Sequence, residues 1–192
     1  MNKLLRTKLP QARYALKLKR NYKLKTFREK DIKVLEICGG IAPISRENIN
    51  VDILDDPMVD VIAELHEKLP FPDENIDKII SIATLEHFSL PDMRKVLNEF
   101  RRILKSGAVL EIGVPSLEKI FNYYKEFGLD DVCLRHLHGA QKDEYDIHLC
   151  VMDFAKMKKE LESLNYSGVL ELEYDYPVQD KRFFMKVRAY KK

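Results

Sequence analysis

Residues 34–40 read Val34-Leu35-Glu36-Ile37-Cys38-Gly39-Gly40. An apolar run carries one carboxylate in its middle and then breaks into two glycines. The run suits a buried strand. Glycine after a strand lets the backbone approach a flat or charged ligand closely, because no Cβ intervenes. The frame is not a dinucleotide fingerprint: from Cys38 the chain reads CGGIAP rather than GxGxxG, and no P-loop is present.

Outward from this stretch, strand and helix patterns alternate. IKVLEI (32–37), INVDIL (49–54), VDVIAEL (59–65), DKIISIAT (77–84) and AVLEIGV (108–114) read as five strands. GVLELEYDY (168–176) and FFMKVRAY (183–190), joined by PVQDKR, read as a hairpin with a long loop. The clearest helix lies between the fourth and fifth strands, in PDMRKVLNEFRRILK. There Met93, Val96, Leu97, Phe100, Ile103 and Leu104 recur every three or four residues. Ser89 or Asp92 can cap its start, and Gly107 stands where a helix end favours glycine. Further helices are expected over 117–127 and 153–164.

This order predicts an open, mostly parallel α/β sheet, with ligands beyond the carboxyl ends of its strands. The links from strand one to two and from two to three are short: Cys38 to Asn48, and then about five residues, where a parallel crossover normally takes a dozen or more. Extended chain can span them, with little or no helix, or else the third strand is misplaced.

The chain has 192 residues, 45% of them hydrophobic and 33% charged, which suits one soluble globular domain. No apolar stretch approaches a membrane span. The N-terminal residues lack the apolar segment and cleavage site of a secretory signal. The odd number of cysteines (Cys38, Cys133, Cys150) shows no zinc-type pairing, and together these features point to a reducing, cytoplasmic setting. Charge is uneven. Residues 1–30 hold eleven Lys/Arg and one acid, whereas the rest carries 22 basic and 30 acidic residues. A basic N-terminal arm, 1–30, is therefore expected ahead of a domain over 31–192. The arm is either solvated or packed on the domain, or it touches an anionic surface such as lipid headgroups, nucleic acid or a phosphorylated glycan.

Glu36, Asp52 and Glu64 each close a predicted strand. A carboxylate at the end of the second strand can accept both hydroxyls of a ribose, and Glu64 can accept from an adenine amino group. With the glycines, three acids on successive strands point to a nucleoside ligand.

VLEICGG, NVDIL, LPFPDENIDKIISIATLEHF and FRRILKSGAVLEIGVP in series resemble the class I S-adenosylmethionine-dependent methyltransferases. The resemblance covers residues 32–115 well and the C-terminal part more loosely. It implies a Rossmann-like seven-stranded sheet with an antiparallel last strand, and S-adenosylmethionine as cofactor. The shortened connections resemble a compact subgroup associated with surface polysaccharide or glycan pathways. Carried over, the resemblance gives Glu36 the ordering of the glycine loop and of the methionine end, and puts Gly39 and Gly40 under the cofactor. Asp52 would hold the ribose diol and Ile53 the adenine face. Glu64 and the backbone of Leu65 would meet the adenine edge, and Ile82 and Ala83 would line the sulfonium side. Cys38 stands where the family usually has glycine and adds a sulfur near the cofactor path.

The sulfonium is already a strong electrophile, so the protein mainly supplies alignment and dry surroundings. A hydroxyl acceptor needs its proton removed, whereas an amine must arrive neutral. Candidate bases are His87, after strand four, and His136, His138 and His148. The last three lie in 131–150, within a segment (115–150) read as a substrate-region insertion; Tyr123 and Tyr124 on the helix before it can cover a substrate. A divalent ion on His136, His138, Asp146 and His148 matches no zinc signature, so no metal is assigned. The leading function is O- or N-methylation of a small molecule or glycan. One alternative is a nucleic-acid methyltransferase using the basic arm. Against it, the Asn/Asp-Pro-Pro-aromatic motif is absent after strand four, where Ala83-Thr84-Leu85-Glu86 stands, and no Pro-Cys nucleophile is found. Another is a member of the fold that binds cofactor or a partner without turnover.

Overall fold

The computed structural model describes residues 23–31 and 33–192. Strands β1 (Val34–Ile37), β2 (Ile49–Asp52), β3 (Val61–Ile62), β4 (Ile76–Ile82), β5 (Leu104–Pro115), β6 (Tyr166–Leu172) and β7 (Phe184–Lys191) form one sheet in the order β3-β2-β1-β4-β5-β7-β6. The first five run parallel, and β7 is antiparallel to both β5 and β6. Beyond residue 31, four α-helices accompany them: α1 (Leu90–Ile103), α2 (Leu117–Phe127), α3 (Asp131–His138) and α4 (Phe154–Ser163).

The expected seven-stranded sheet with its antiparallel last strand is present. So are the helix-free links: neither 38–48 nor 53–60 contains a helix. The third strand is much shorter than 59–65, because only Val61 and Ile62 pair with β2 before the chain turns away.

Alternation along β4 divides the core. Ile79 joins a large cluster with Leu35, Ile37, Met93, Leu97, Phe100 and Leu161, while Ile80 and Ile82 join a smaller one with Ile120, Cys133 and Phe183 on the opposite face. Helices α1 and α4 thus cover one face and α2 and α3 the other. Of residues 1–30, those from 23 onward are described. Residues 23–28 are helical, and Phe27 is buried in the large cluster. Lys23 pairs with Asp60. The remainder of the basic segment lies outside the described residues.

Helix α1 begins at Ser89, whose hydroxyl accepts the N–H of Asp92 (3.3 Å) and donates to its carboxylate (2.6 Å). Met93, Val96, Leu97, Phe100 and Ile103 are its buried stripe. Gly107 does not end it. The helix stops at Ile103 and β5 starts at once, but pairing with β4 jumps from Ile76↔Leu104 to Lys78↔Val109. Gly107, at φ +76°, sits in that bulge. Arg102 then pins the Leu69-Pro70-Phe71 segment, donating to the carbonyls of Leu69 (3.1 Å) and Phe71 (3.0 Å) while paired with Glu99 and Asp73. Helix α3 has no counterpart in the hydrophobic pattern; Asp130 caps it by accepting the N–H of Cys133 (2.8 Å).

One buried ion cluster joins the central strands to the C-terminal hairpin. The carboxylate of Glu111, 1% exposed, meets Lys78 (2.8 Å), Arg188 (2.6 Å) and the hydroxyl of Tyr176. Burial alone would raise its pKa, but these three partners outweigh burial and hold it at about 2. Because the folded value lies below the ordinary 4.5, the stabilisation is complete above pH 4.5 and is lost as pH falls toward 2. Glu111→Gln is expected to lower stability at pH 7 by about 2–3 kcal/mol and to flatten the fall in stability between pH 5 and 3. Denaturant unfolding at a series of pH values measures both effects.

Candidate active site

The tips of β1, β2 and β4 lie side by side, and the chain beyond β1 turns without a helix to receive its amides. Side chains take that role. Glu36, 3% exposed, accepts the N–H of Ile44 at 2.6 Å and that of Ser45 at 3.4 Å. Asn50, fully buried, accepts the N–H of Gly39 (3.1 Å) and donates to the carbonyls of Gly40 and Met58 (both 2.9 Å). Asp52 accepts the N–H of Gly40 (2.9 Å) with one oxygen and that of Leu54 (3.0 Å) with the other. A Cβ on Gly39 would lie 2.7 Å from Asn50 Oδ1 and 2.9 Å from Glu36 Oε1, so this position tolerates no side chain. Gly40 adopts φ +53°.

Two non-glycine residues at neighbouring strand tips also hold positive φ: Cys38 at +56° after β1 and Ala83 at +50° after β4. Each such conformation costs an L-residue roughly 1–2 kcal/mol. Thr84, buried beside them, donates toward the carbonyls of Ile82 (3.1 Å) and Ile37 (3.4 Å). Burial, with the nearby Asp52 charge, pushes the Cys38 thiol up to about 12. It stays protonated and is no nucleophile.

Three cavities share Ala83 in their walls. A cleft of about 620 Å³ is lined by Cys38, Asp52, Ile53, Glu64, Leu65 and His87, among others. One of about 310 Å³ lies over the glycine loop, with Glu36, Gly39 and Ile82. A polar one of about 300 Å³ is walled by Glu86, His87, Arg135, His136, Lys142 and His148.

The polar cavity is built by docking the 139–150 segment onto the turn after β4. Glu86 O accepts the N–H of Leu149 (2.7 Å) and of Cys150 (3.1 Å). His87 Nδ1 lies 3.1 Å from Ile147 O, and His148 Nδ1 lies 2.9 Å from His136 O. A carbonyl oxygen only accepts, so both Nδ1 atoms carry the proton and both Nε2 atoms keep a lone pair. Burial lowers the pKa of His87, His136 and His148.

Of the residues singled out in the sequence, Cys38, Asp52, Ile53, Glu64, Leu65, Ala83 and His87 come together on the large cleft. Glu36, Gly39 and Ile82 surround the smaller one beside it. Gly40 lines none of the three and serves the loop instead. His138 is exposed and also lines none; its carbonyl accepts the N–H of His148 (3.1 Å). Tyr123 is spent on Asp130 (2.8 Å), and Tyr124 faces outward. Sequence reasoning missed Asn50, Thr84 and Glu86. No local pattern marks Glu86 for burial, because the 147–150 segment that docks on its backbone lies some sixty residues later in the chain.

Replacing Cys38 with glycine removes the backbone strain at the cost of a small side-chain contact. Cys38→Gly is expected to keep stability within about 1 kcal/mol and to bind S-adenosylhomocysteine as tightly as wild type or more so. Calorimetric titration checks this, and a large loss of affinity would assign the sulfur a role of its own.

The family model for the methyltransferase domain matches residues 13–112. No curated protein matches. Among solved structures, the chain resembles an S-adenosylmethionine-dependent methyltransferase from Thermotoga maritima, described as a possible histamine N-methyltransferase. The identity is 18%, over 91% of this chain and 89% of that one, with a TM-score of 0.59. Two archaeal S-adenosylmethionine-dependent methyltransferases share the fold as well. The one from Methanosarcina mazei has 17% identity over 88% and 96% of the two chains, with a TM-score of 0.60. The one from Archaeoglobus fulgidus has 18% over 92% and 94%, with a TM-score of 0.58. No described helix is long and apolar enough to cross a membrane. Because the family match spans more than half of the chain and includes the tips of β1, β2 and β4, the protein is a member of the class I S-adenosylmethionine-dependent methyltransferases.

Proposed function

We propose that this methyltransferase modifies a hydroxyl or amino group of a small molecule or a glycan. The reading rests on one observation: a polar cavity of about 300 Å³ shares Ala83 and His87 with the larger cleft. That volume suits a compact metabolite or a single sugar ring.

The large cleft fits the cofactor. Ile53 and Leu54, 39% and 46% exposed, flank the buried Asp52 carboxylate. An apolar base attached to a diol-bearing sugar needs that combination. Each Asp52 oxygen accepts one backbone N–H and retains capacity for a ribose hydroxyl. Glu64 and the backbone of Leu65 meet the adenine edge, while the loop held by Glu36 and the Ile82–Ala83 turn face the methionine end. When bound, S-adenosylmethionine supplies the methyl group as an electrophilic sulfonium. The protein's own part is to align the acceptor and exclude water.

His136 is the residue proposed to take the acceptor's proton. Its ring stacks on Phe183 at 3.9 Å and, among the described residues, carries no hydrogen bond. Burial holds its pKa below the ordinary 6.5, so the neutral, proton-accepting form prevails at pH 7. Turnover should therefore rise with pH through an apparent pKa below 6.5 and then level off.

Asp52→Ala is expected to weaken S-adenosylhomocysteine binding at least about tenfold, the loss of one or two charge-assisted hydrogen bonds. Unchanged affinity in a calorimetric titration would contradict the ribose assignment. His136→Ala is expected to lower kcat about 10²–10⁴-fold while leaving that affinity intact. The deciding experiment incubates the protein with methyl-labelled cofactor and fractionated cell extract. Label in the low-molecular-weight or glycan fraction supports the reading, and label confined to nucleic acid overturns it.

A further inference from the structure

Glu86 is one of three described residues with a buried side-chain polar atom that has no hydrogen-bond partner, and it is the one carboxylate among them. It is 1% exposed, and neither carboxylate oxygen meets a donor at hydrogen-bonding geometry. A buried carboxylate left unpaired costs several kcal/mol or gives up its charge. Native proteins leave such a group where something else completes it. Glu86 lines the polar cavity, and so do His87, His136 and His148.

The Glu86 carboxylate and one ring nitrogen each from His87 and His148 lie within 4.8 Å of one another. The rings meet edge to face, with centroids 5.0 Å apart and planes at 74°. Both Nδ1 atoms are committed to backbone carbonyls, Ile147 O and His136 O. This is the outer-shell arrangement that fixes a metal-binding histidine: the donated Nδ1–H sets the tautomer and orients the Nε2 lone pair. Ligands at 2.0–2.1 Å from a common ion stand about 3.0–3.5 Å apart, so a small inward shift of the three groups would close the site.

We propose that Glu86, His87 and His148 bind one divalent first-row transition ion, with zinc the best fit to two imidazoles and one carboxylate. Three protein ligands leave a coordination position open, the pattern of sites that take a water or a substrate atom. All three residues line the polar cavity. Arg135 and Lys142 also line it and their charge opposes a bare cation, while the Asp146 carboxylate in the same wall favours one. An anionic group on the acceptor would offset the remaining repulsion. His136 is not a ligand and remains free for the proton. The ion would also join residues 86–87 to residue 148, and so fasten the 139–150 segment to the turn after β4. Binding of the ion stands apart from the acceptor reading above; only its use in the reaction rests on that reading.

The test uses the full chain, stripped with chelator and titrated with cobalt(II) chloride, then with zinc chloride. The expected result is one cobalt per chain with visible d–d absorption, displacement of the cobalt by zinc, and a thermal midpoint several degrees higher with zinc present. His148→Ala and Glu86→Gln should each weaken cobalt binding at least about tenfold and abolish the zinc-dependent thermal shift. Glu86→Gln keeps the side chain's shape and removes the buried charge, so it should fold at least as well as wild type without metal; far-UV circular dichroism verifies this for both variants. Absence of saturable cobalt binding overturns the site, and so does binding that both folded variants retain at full strength. Cobalt bound at full stoichiometry with no label transferred would sink the acceptor reading and keep the site; transfer without cobalt binding would do the reverse.

Discussion

The structure depends on a shortage of helix. Parallel strands are usually joined by helices that absorb their own amides, and β1–β2 and β2–β3 are joined by loops. Buried amides still need acceptors. Glu36, Asn50 and Asp52 supply them from the strands themselves, each reaching into the loop after β1. The carboxylate inside the apolar run of the first strand is thereby explained. It is a substitute for a missing turn of helix, and it fixes the shape of the backbone beside the cavity over the glycine loop.

That economy ties binding to folding. Asp52 holds the Gly40 amide and also borders the cleft, so its two tasks share one carboxylate. Asn50 does purely internal work, yet without it Gly39 would lose its acceptor and Gly40 and Met58 their donor. Backbone strain collects at the same place. Cys38 and Ala83 both sit in the left-handed region, and both border the cleft. Such strain persists only where the surroundings over-determine it, and here the short Cys38 N–H to Val51 O bond (2.7 Å) and the Thr84 hydroxyl hold the two turns.

The fold was legible in the sequence because its signals are local and periodic. The α1 stripe, the glycine break after β1 and the spacing of five apolar runs need no knowledge of the partner strand. Signals that depend on the partner were not legible. Gly107 looks like a helix end until the register jump between β4 and β5 shows it in a bulge. Val61 and Ile62 alone pair in register at the sheet edge: the N–H groups of Asp60 and Ala63 reach the carbonyls of Asn50 and Asp52, and beyond them VDVIAEL leaves β2. Helix α3 presents only Cys133 as a buried residue, too little for a periodic pattern. For the site, strand-tip acids could be named from their positions, but the burial of Glu86 could not. It is enclosed by the 147–150 segment, some sixty residues later in the chain, whose backbone docks on Glu86 O.

That docking also separates the histidines by role, which composition alone could not do. His138 uses its carbonyl to receive the N–H of His148 and turns its ring outward. His87 and His148 spend Nδ1 on carbonyls and so present a fixed tautomer to the cavity. His136 leans on Phe183 and keeps both nitrogens unbonded among the described residues. Four histidines close together in sequence or space thus divide into one whose ring is exposed, two whose Nδ1 meets a backbone carbonyl, and one whose ring stacks on Phe183. The division follows from where the carbonyls of residues 136, 138 and 147 point. Backbone geometry in the 131–150 segment therefore sets the tautomers presented to the polar cavity, much as side-chain acceptors set the backbone of the loop after β1.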